Sequence, residues 1–219
     1  MRSSIPGTRR AARSQSGSTM KGCLIAAVLG LIVVAIGYSM TIGTYNGIVG
    51  QDEAVNAQWS VLGSQYTRRS ELVPQLVQVV KGAADFEKST LTEITDARAR
   101  VGQVQLPATP DDEAQVGEYM QAQKQLGSAL SRLLVVSENY PTLTATTGFR
   151  DLQAQIEGTE NRINVARIDY VNAVKTYNTA IRKFPASLVA SFGGFERKPQ
   201  LEADEGSREV PTLDFGGDP

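Results

Sequence analysis

Any chemistry in this chain would have to come from Asp, Glu, Lys or Tyr side chains, because the sequence has no histidine and only one cysteine, Cys23. These counts exclude a Ser-His-Asp triad, a histidine-ligated metal, an all-cysteine metal site and an intrachain disulfide. The carboxylates with suggestive positions are Asp52, Glu87 and Glu160, which lie at or beside predicted helix seams. One hypothesis is a carboxylate-dependent enzyme. We favour the alternative, in which paired polar seam residues fix the register of packed helices.

The sequence signatures of other enzymes are also missing. Di-iron sites in helical bundles use Glu-x-x-His pairs, which a chain without histidine cannot provide. No glycine-rich phosphate loop follows a predicted strand, and strands do not alternate with helices. Phe192-Gly193-Gly194-Phe195 comes after the last helix and is interpreted as a turn or an interfacial segment. We therefore predict that the protein is not an enzyme, that it has no catalytic, cofactor-binding or metal-binding residues, and that it uses no cofactor.

The element with the clearest pattern is a seven-residue repeat between residues 149 and 184. Large side chains recur at every seventh position, and mostly small ones fill the complementary seam. The first column is Phe149, Ile156, Ile163, Tyr170, Tyr177 and Phe184, and the second is Leu152, Thr159, Ala166, Ala173 and Ala180. The repeat predicts a long helix that packs closely on a neighbour and ends at Phe184-Pro185, because proline cannot continue it.

Three earlier stretches show the same 3-4 alternation of seam positions. They are Tyr45, Ile48, Asp52, Val55, Trp59, Leu62, Tyr66 and Arg69; Leu76, Val80, Ala83, Glu87, Thr90, Ile94, Ala97, Val101 and Val104; and Val116, Tyr119, Gln123, Leu126, Leu130, Leu133, Ser137 and Tyr140. Breaks are predicted near Ser70–Pro74, Leu106–Pro110 and Pro141–Gly148, with Thr109 capping the third helix and Pro110 at its first position. Four amphipathic helices with short breaks predict an all-α fold, an antiparallel up-down-up-down four-helix bundle.

An apolar run precedes these helices. No charged residue occurs from Gly22 to Gln51, and the stretch from Gly22 to Ile42 is long enough to cross a bilayer as a helix. We find no small-x-small cleavage site after it, so we predict an uncleaved transmembrane helix over 22–43 that continues into the first bundle helix. Gly22, Ala26 and Gly30 form a small-residue face through which two anchors could pair as a homo-oligomer.

Charge is distributed unevenly along the chain. The first 21 residues carry only basic charges, at Arg2, Arg9, Arg10, Arg13 and Lys21, whereas residues 199–219 are strongly acidic. The positive-inside rule then predicts a cytoplasmic N-terminus and a bundle outside the cytoplasm. The body between is nearly neutral, which argues against a nucleic-acid partner. The predicted organisation is a basic disordered N-terminus (1–21), a transmembrane helix (22–43), the bundle (44–185) and a mostly disordered acidic tail (186–219).

Several motifs resemble those of the LemA family of bacterial membrane proteins. They include Tyr45-Asn46-Gly47-Ile48-Val49, Arg68-Arg69-Ser70-Glu71-Leu72-Val73-Pro74, Ser137-Glu138-Asn139-Tyr140-Pro141 and Glu157-Gly158-Thr159-Glu160-Asn161-Arg162-Ile163. The resemblance covers about residues 45–199 and implies an N-terminally anchored antiparallel helical bundle, but no reaction. Motif positions with a structural or interaction role are Tyr45, Asn46, Trp59, Arg68, Arg69, Leu72, Pro74, Tyr140, Pro141, Glu160, Asn161, Arg162, Arg167, Tyr170, Phe184 and Pro185.

Two of these motif features allow a physical interpretation from sequence. The Arg68-Arg69…Pro74 elbow would cap the end of the first helix and pair with its macrodipole, or else bind a carboxylate on a partner; we favour the cap. Trp59 lies on the seam, so we predict a core position for it.

The leading functional hypothesis is a non-catalytic, single-pass scaffold or interaction module of the bacterial cell envelope, held in the inner membrane. Its expected partners are the lipid bilayer and unidentified envelope proteins. The alternative is an envelope-stress or sensory component that transmits helix shifts through its anchor.

Overall fold

The computed structural model describes the backbone of residues 16–82 and 86–201, and within these ranges every regular element is a helix. The helices are α1 (Ser16–Lys81), α2 (Lys88–Gln103), α3 (Glu113–Ser137), α4 (Pro141–Thr144), α5 (Thr147–Ala180) and α6 (Ala186–Gly193). The all-α class is therefore confirmed. Residues 1–15 of the predicted N-terminal segment, Ala83 of the predicted seam and residues 202–219 of the predicted tail lie outside the described residues.

Helix α1 joins the apolar run to the packed body of the molecule without interruption. It has 66 residues and is about 100 Å long at a rise of 1.5 Å per residue. From Ala26 to Ile42 its apolar side chains are exposed, and burial begins at Ile48. Among the described residues, this is the one helix long and apolar enough to cross a membrane. The predicted continuity of the apolar run with the first packed helix is thus observed.

The predicted break at Ser70–Pro74 is wrong, because α1 runs through Pro74 to Lys81. Proline has no N–H to donate to the carbonyl four residues earlier, which here is Ser70. The Arg98 side chain of α2 supplies the missing donor, with its Nε 3.3 Å from the Ser70 carbonyl oxygen. This contact from a second helix offsets part of the local cost of proline. The chain reverses instead between Lys81 and Lys88, and Glu87 precedes α2 as an exposed residue rather than occupying a seam.

The heptad repeat of α5 is confirmed for five of its six large positions. Phe149, Ile156, Ile163, Tyr170 and Tyr177 are all buried. Phe184 is the exception, since α5 ends at Ala180 and the Phe184 side chain is exposed. The expectation that the helix would extend to Phe184 is therefore wrong, although Pro185 does precede a new helix.

The start of α3 also differs from the prediction. Asp112, and not Thr109, caps it: one carboxylate oxygen of Asp112 accepts hydrogen bonds from the Ala114 and Gln115 N–H groups at 2.8 and 3.2 Å. Pro110 lies before the helix rather than at its first position. A carboxylate satisfies these donors and also complements the positive end of the helix dipole, which favours the later start.

The helices associate as two antiparallel pairs. Arg69 and Gln65 of α1 contact Glu160 and Arg162 of α5, respectively, so residue numbers rise on one helix as they fall on the other. Glu93 of α2 likewise pairs with Arg132 of α3, as Arg100 does with Gln125. Helix α6 returns to pack on α1.

The interior consists of two separate clusters. The aliphatic half-core, which lies farther from the apolar run, contains Leu72, Val73, Leu76, Val80, Phe86, Ile94, Ala97, Leu126, Ala129, Leu130, Leu133, Leu143, Phe149, Leu152 and Ile156. The aromatic half-core, which lies nearer to it, contains Ile48, Val55, Trp59, Leu62, Tyr66, Val116, Tyr119, Ile163, Ala166, Tyr170, Val174, Tyr177, Ile181 and Ala190. Helices α1, α3 and α5 pass through both clusters.

Candidate functional site

Polar side chains lie where α1, α3 and α5 cross from one half-core to the other. Arg69, Gln123 and Thr159 are buried there, and Glu160 is partly exposed beside them. We call these four residues the polar layer. Arg69, Gln123 and Thr159 occupy seam positions that apolar residues fill above and below, and Glu160 lies next to Thr159 beside the seam.

Arg69 is the centre of the polar layer. Its Nη1 donates to Glu160 Oε1 at 2.9 Å, and its Nη2 donates to the Gln123 backbone oxygen at 2.6 Å and to Gln123 Oε1 at 2.8 Å. The guanidinium also lies over the Tyr66 ring, 5.1 Å from its centroid. The Arg69 side chain is 4% exposed and that of Glu160 is 38% exposed, so a buried cation is neutralised by an anion at the surface. The Arg69 Nε is buried and has no acceptor.

These contacts correct the predicted role of the Arg68-Arg69…Pro74 elbow. Arg69 lies well inside α1, where there is no helix end for it to cap, and its carboxylate partner belongs to the same chain. Gly127 makes room for the guanidinium, because a Cβ at that position would be 3.1 Å from Arg69 Nη1. The interaction that we had assigned to a helix terminus therefore joins three helices.

An open groove runs between α3 and α5 above the polar layer, with a volume of about 850 Å³. We call it the α3–α5 groove. Its charged and amide-bearing lining residues are Arg69, Glu113, Gln121, Gln123, Lys124, Glu160, Asn164, Arg167 and Gln200. Both charge signs are present and small residues such as Gly117, Gly127, Ser128 and Ser131 form part of the wall. The groove can therefore accept a polar side chain or backbone segment with several hydrogen bonds.

Residues 195–201, which we call the C-terminal strap, reach the α3–α5 groove, and the last three of them line it. Its backbone is held by side chains of α5: the Tyr177 hydroxyl donates to the Glu196 carbonyl at 3.0 Å, and the Tyr170 hydroxyl donates to the Pro199 carbonyl at 3.2 Å. Asn178 both donates to the Lys198 carbonyl and accepts from its N–H, each at 2.9 Å. These bonds account for ordered structure in a stretch whose sequence predicted a mostly disordered tail.

The Lys198 side chain of the strap is buried and forms ion pairs with two carboxylates. It contacts Asp52 of α1 at 2.9 Å and also Asp111, which precedes α3. Burial alone would lower the pKa of Lys198, but the hydrogen bonds from its ammonium to Asp111 and Asp52 raise it above the usual value. Burial would raise the pKa of Asp111, but hydrogen bonds from Lys198 and Thr109 lower it below the usual value.

Three tyrosines around these contacts are held in the neutral form. Burial raises the pKa of Tyr119 to about 12, although a hydrogen bond with Gln123 opposes the change. Burial also raises the pKa of Tyr170 and of Tyr177, and the Asp111 charge adds to the effect on both. The phenols of Tyr170 and Tyr177 therefore act as hydrogen-bond donors at neutral pH.

The comparison with known proteins identifies the family. A model of the LemA family matches residues 58–215, which is most of the chain. This chain belongs to the LemA family. It is 28% identical over 170 residues to magnetosome protein MamQ 2 of Paramagnetospirillum magneticum, a match that covers 70% of this chain and 62% of the relative. It is 23% identical over 161 residues to protein LemA of Metamycoplasma hominis, covering 73% of this chain and 69% of the relative.

The chain therefore spans less than two thirds of the length of the MamQ relatives that it matches. A third relative, MamQ of Magnetospirillum gryphiswaldense, shows 26% identity over 170 residues with the same coverage.

The LemA-type motif residues fall into several places rather than one site. Arg69, Glu160 and Arg167 line the α3–α5 groove, and Asn161 lines its continuation along α5. Arg162 faces the other way, donating to Gln65 Oε1 at 3.2 Å and to Thr159 Oγ1 at 2.9 Å. The structure thus brings four of the predicted motif residues together around one groove.

Other motif residues have packing positions. Trp59 is in the core as predicted, where its indole N–H donates to the Pro107 carbonyl at 2.8 Å and its ring lies 5.3 Å from that of Tyr170. Leu72 is buried in the aliphatic half-core, and Tyr140 packs on Phe86 with ring centroids 4.9 Å apart. Exposed or terminal positions are held by Asn46, Arg68, Pro74, Pro141, Phe184 and Pro185. Tyr45 packs its ring 5.4 Å from that of Phe195.

The three carboxylates of the enzyme hypothesis do not form one site. Asp52 pairs with Lys198, Glu160 pairs with Arg69, and Glu87 precedes α2 with its carboxylate accepting from the Thr90 hydroxyl at 3.3 Å. Asp52 lies about 25 Å along α1 from Arg69. Within residues 16–82 and 86–201, no three His, Cys, Asp or Glu side chains are grouped so as to hold a metal ion.

Sequence reasoning missed four residues that complete these arrangements. Gly127 makes room for Arg69, and Lys198, Asp111 and Asn178 hold the strap. For Gly127 a signal exists, since it lies one helical turn after the polar seam residue Gln123. For the strap no local signal exists, because Lys198 and Asp111 are 87 residues apart in the chain.

Proposed function

We propose that this LemA-family protein is a non-catalytic, single-pass scaffold or interaction module of the bacterial inner membrane. Its N-terminus lies in the cytoplasm, and an antiparallel up-down-up-down four-helix bundle lies outside the cytoplasm. The bundle contacts other envelope proteins through a polar surface, with no cofactor and no nucleic acid. The paired anchors of two copies meet at the face that includes Gly22, Ala26 and Gly30.

The observation that carries this proposal is the continuity of α1. One helix holds both the exposed apolar run and a full set of buried core contacts from Ile48 to Val80. A membrane tether built in this way fixes the height of the body above the bilayer, because no flexible linker separates the two. A fixed height favours a structural role over one that requires the domain to search freely.

The α3–α5 groove supplies the proposed contact surface. It is open, has charges of both signs, and is bordered by the LemA-type motif residues Arg69, Glu160 and Arg167. The MamQ relatives are named as magnetosome proteins and not after a reaction, which supports an interaction role over an enzymatic one.

The anchor and its orientation can be tested with fusions of the full chain. We expect a periplasm-active reporter after Pro219 to be active and the same reporter before Met1 to be inactive. The full-length protein should also remain in the membrane after washing with alkaline carbonate. Release of the full-length protein by carbonate, or the reverse pattern of reporter activity, would contradict this part of the proposal.

The groove can be tested by site-specific photocrosslinking in living cells. A photoreactive residue at Ser131, on the groove wall, should give a discrete crosslinked product. The matched control is Thr95, an exposed residue of α2 that does not line the groove. The substitution Lys124→Glu should abolish the Ser131 product without changing the circular dichroism spectrum. Equal crosslinking from both positions, or none from Ser131, would count against the groove as the contact surface.

The continuity of α1 also favours a second candidate, a sensory component of the envelope-stress response. A helix that is shared between membrane and body can transmit a rotation or a shift in either direction. A flexible Gly-Ser insertion between Thr41 and Tyr45 should then abolish the stress phenotype. A seven-residue helical insertion, which keeps the face of the helix nearly unchanged, should preserve it. If neither insertion changes the stress phenotype, the scaffold is the better account.

A further inference from the structure

Helix α6 carries apolar side chains on its outer face as well as on its packed face, and its polar side chains are those of Ser187 and Ser191. The eight residues Ala186–Gly193 include no charged side chain. Ala190 is buried, and Ala186 and Val189 pack partly on the aromatic half-core. A short helix with an apolar outer face in addition to this packed face needs a second apolar surface to cover it.

The outer face of α6 carries the most exposed large apolar side chains of the region. Phe184, Leu188 and Phe192 are 81%, 56% and 92% exposed. They recur every fourth residue, and Leu188 and Phe192 therefore lie on the same face of the helix with Phe184 just before its start. Three large side chains in a row are more than the scattered apolar residues normal on a protein surface.

The position of α6 decides which apolar surface is within reach. A Cβ placed on Gly193 would lie 3.4 Å from Tyr45 Cε2, and the Phe195 ring packs on the Tyr45 ring. Tyr45 lies only three residues, or about 5 Å, beyond Ile42 at the end of the exposed apolar run of α1. Ile181, just before α6, shares a core cluster with Ile48 of α1. Helix α6 therefore sits at the level where α1 would leave the hydrocarbon.

The charges around α6 match a lipid surface. Arg182, Lys183 and Arg197 are exposed beside it, whereas Glu196 is the exposed acid of the same stretch. Lys198 does not add to this surface, because it is buried with Asp52 and Asp111. An excess of exposed cations beside an apolar face is typical of segments that lie in the interface of anionic membranes.

We propose that α6 lies in the membrane interface and inserts Phe184, Leu188 and Phe192 into the bilayer that α1 spans. The inference rests on the proposed anchor. The occupant of the apolar face is lipid, and the cations at 182, 183 and 197 contact anionic headgroups. The body is then held at two points, a spanning helix and an interfacial helix, so that it cannot tilt freely about α1.

The test uses the full chain in vesicles of zwitterionic and anionic phospholipids, with Cys23→Ser as background. A single cysteine is introduced by Ile36→Cys, Leu188→Cys or Val165→Cys and labelled with an environment-sensitive fluorophore. Ile36 lies in the apolar run of α1 and Val165 is an exposed apolar position of α5 away from α6. Quenching is measured with a spin-labelled lipid and with a water-soluble quencher.

We expect the Ile36 and Leu188 labels to be quenched by the lipid quencher and protected from the aqueous one, and the Val165 label to behave oppositely. The double variant Arg182→Glu/Lys183→Glu should reduce lipid quenching at Leu188 by at least twofold and leave Ile36 unchanged. If Ile36 is quenched by lipid but Leu188 is as accessible to water as Val165, α6 is not interfacial although the anchor stands. A Leu188 label protected from both quenchers would mean a protein occupant, such as a second copy, and would also overturn the proposal. If Ile36 itself is open to water, the proposed anchor is what has failed.

Discussion

The two half-cores of this protein are built from different kinds of side chain. The aliphatic half-core is mainly Leu, Val and Ile, with Phe86 and Phe149 as its buried aromatic residues. The aromatic half-core instead centres on Trp59, Tyr66, Tyr119, Tyr170 and Tyr177. The chemical difference is that four tyrosines and a tryptophan bring polar atoms into the interior, whereas aliphatic side chains bring none.

Those polar atoms hold the non-helical parts of the chain. Trp59 donates to Pro107 in the connection before α3, and Tyr170 and Tyr177 donate to the strap. The aliphatic half-core holds helices to helices through dispersion and burial, which have no direction. The irregular segments are therefore fixed in the half-core nearer to the apolar run of α1, where aromatic residues supply hydrogen-bond donors.

The largest effect is expected from a cavity in the aliphatic half-core. Leu133→Ala should lower the free energy of unfolding by about 3 kcal/mol, because Leu133 is fully buried and the surrounding helices cannot collapse onto the space. The measurement is chemical unfolding of the full chain in detergent micelles, followed by circular dichroism. Leu134→Ala, at a partly buried neighbour, is the control and should cost clearly less.

The polar layer between the half-cores should give the next largest effect. Glu160→Ala leaves the Arg69 cation buried without its anion and should cost about 2 kcal/mol, less than for a fully buried pair because Glu160 is partly exposed. The double variant Arg69→Met/Glu160→Ala should recover at least half of the loss. Arg132→Ala, at an exposed pair with Glu93, should change stability by less than about 0.5 kcal/mol. A double variant no better than the single one would show that the charges are not coupled.

Removing one hydroxyl from the aromatic half-core should loosen the strap but leave the helices folded. Tyr177→Phe or Tyr170→Phe removes one donor to a strap carbonyl and should cost about 1 kcal/mol each. The readout is the rate of limited trypsin cleavage after Arg197, which should increase several-fold while helicity is unchanged. Tyr45→Phe is the control, since no hydrogen bond joins it to the strap. An unchanged cleavage rate would mean that the side-chain amide of Asn178 and the ion pairs of Lys198 hold the strap without the tyrosine hydroxyls.

The smallest effect is expected from pH. The pKa of Asp111 is lowered in the folded protein, so its contribution is present above its ordinary pKa of 3.8 and is lost as the pH falls below that value. The pKa of Lys198 is raised, so its contribution is complete below 10.5 and is lost as the pH rises above it. The rate of hydrogen exchange at the backbone amides of the strap should therefore rise at both extremes of pH. Asp111→Asn should remove most of the acid response and keep the response at high pH.

Helix identity and the buried face of each long helix could be predicted because they follow from local spacing. Phe149, Ile156, Ile163, Tyr170 and Tyr177 are separated by two helical turns each, and all five are buried as the repeat requires. The same spacing placed Arg69 and Gln123 on seams, so the polar layer was implied by the sequence although its pairing was assigned to a helix end.

The predictions from sequence were wrong where a contact with a distant residue overrides the local sequence pattern. Proline normally ends a helix, but here Arg98 of another helix donates to the carbonyl that Pro74 leaves without a partner. The strap from Phe195 to Leu201 has the composition of a mobile tail, and its order depends on Asp52, Asp111 and Asn178. Such contacts form only after the helices are assembled, and a pattern within one segment carries no information about them.

Because α1 is unbroken, the number of residues between the apolar run and the packed body fixes both their distance and their relative rotation. Each residue of an α-helix turns the chain by about 100° and lifts it by 1.5 Å. The number of residues between Ile42 and Ile48 therefore sets the rotation of the packed body, including Arg69, about the axis of α1 relative to the apolar run. Deleting one residue there would rotate the body by more than a quarter turn relative to the apolar run, and both half-cores beyond Ile48 would keep their contacts. The length of this interval thus sets the direction in which each face of the body points around the axis of α1.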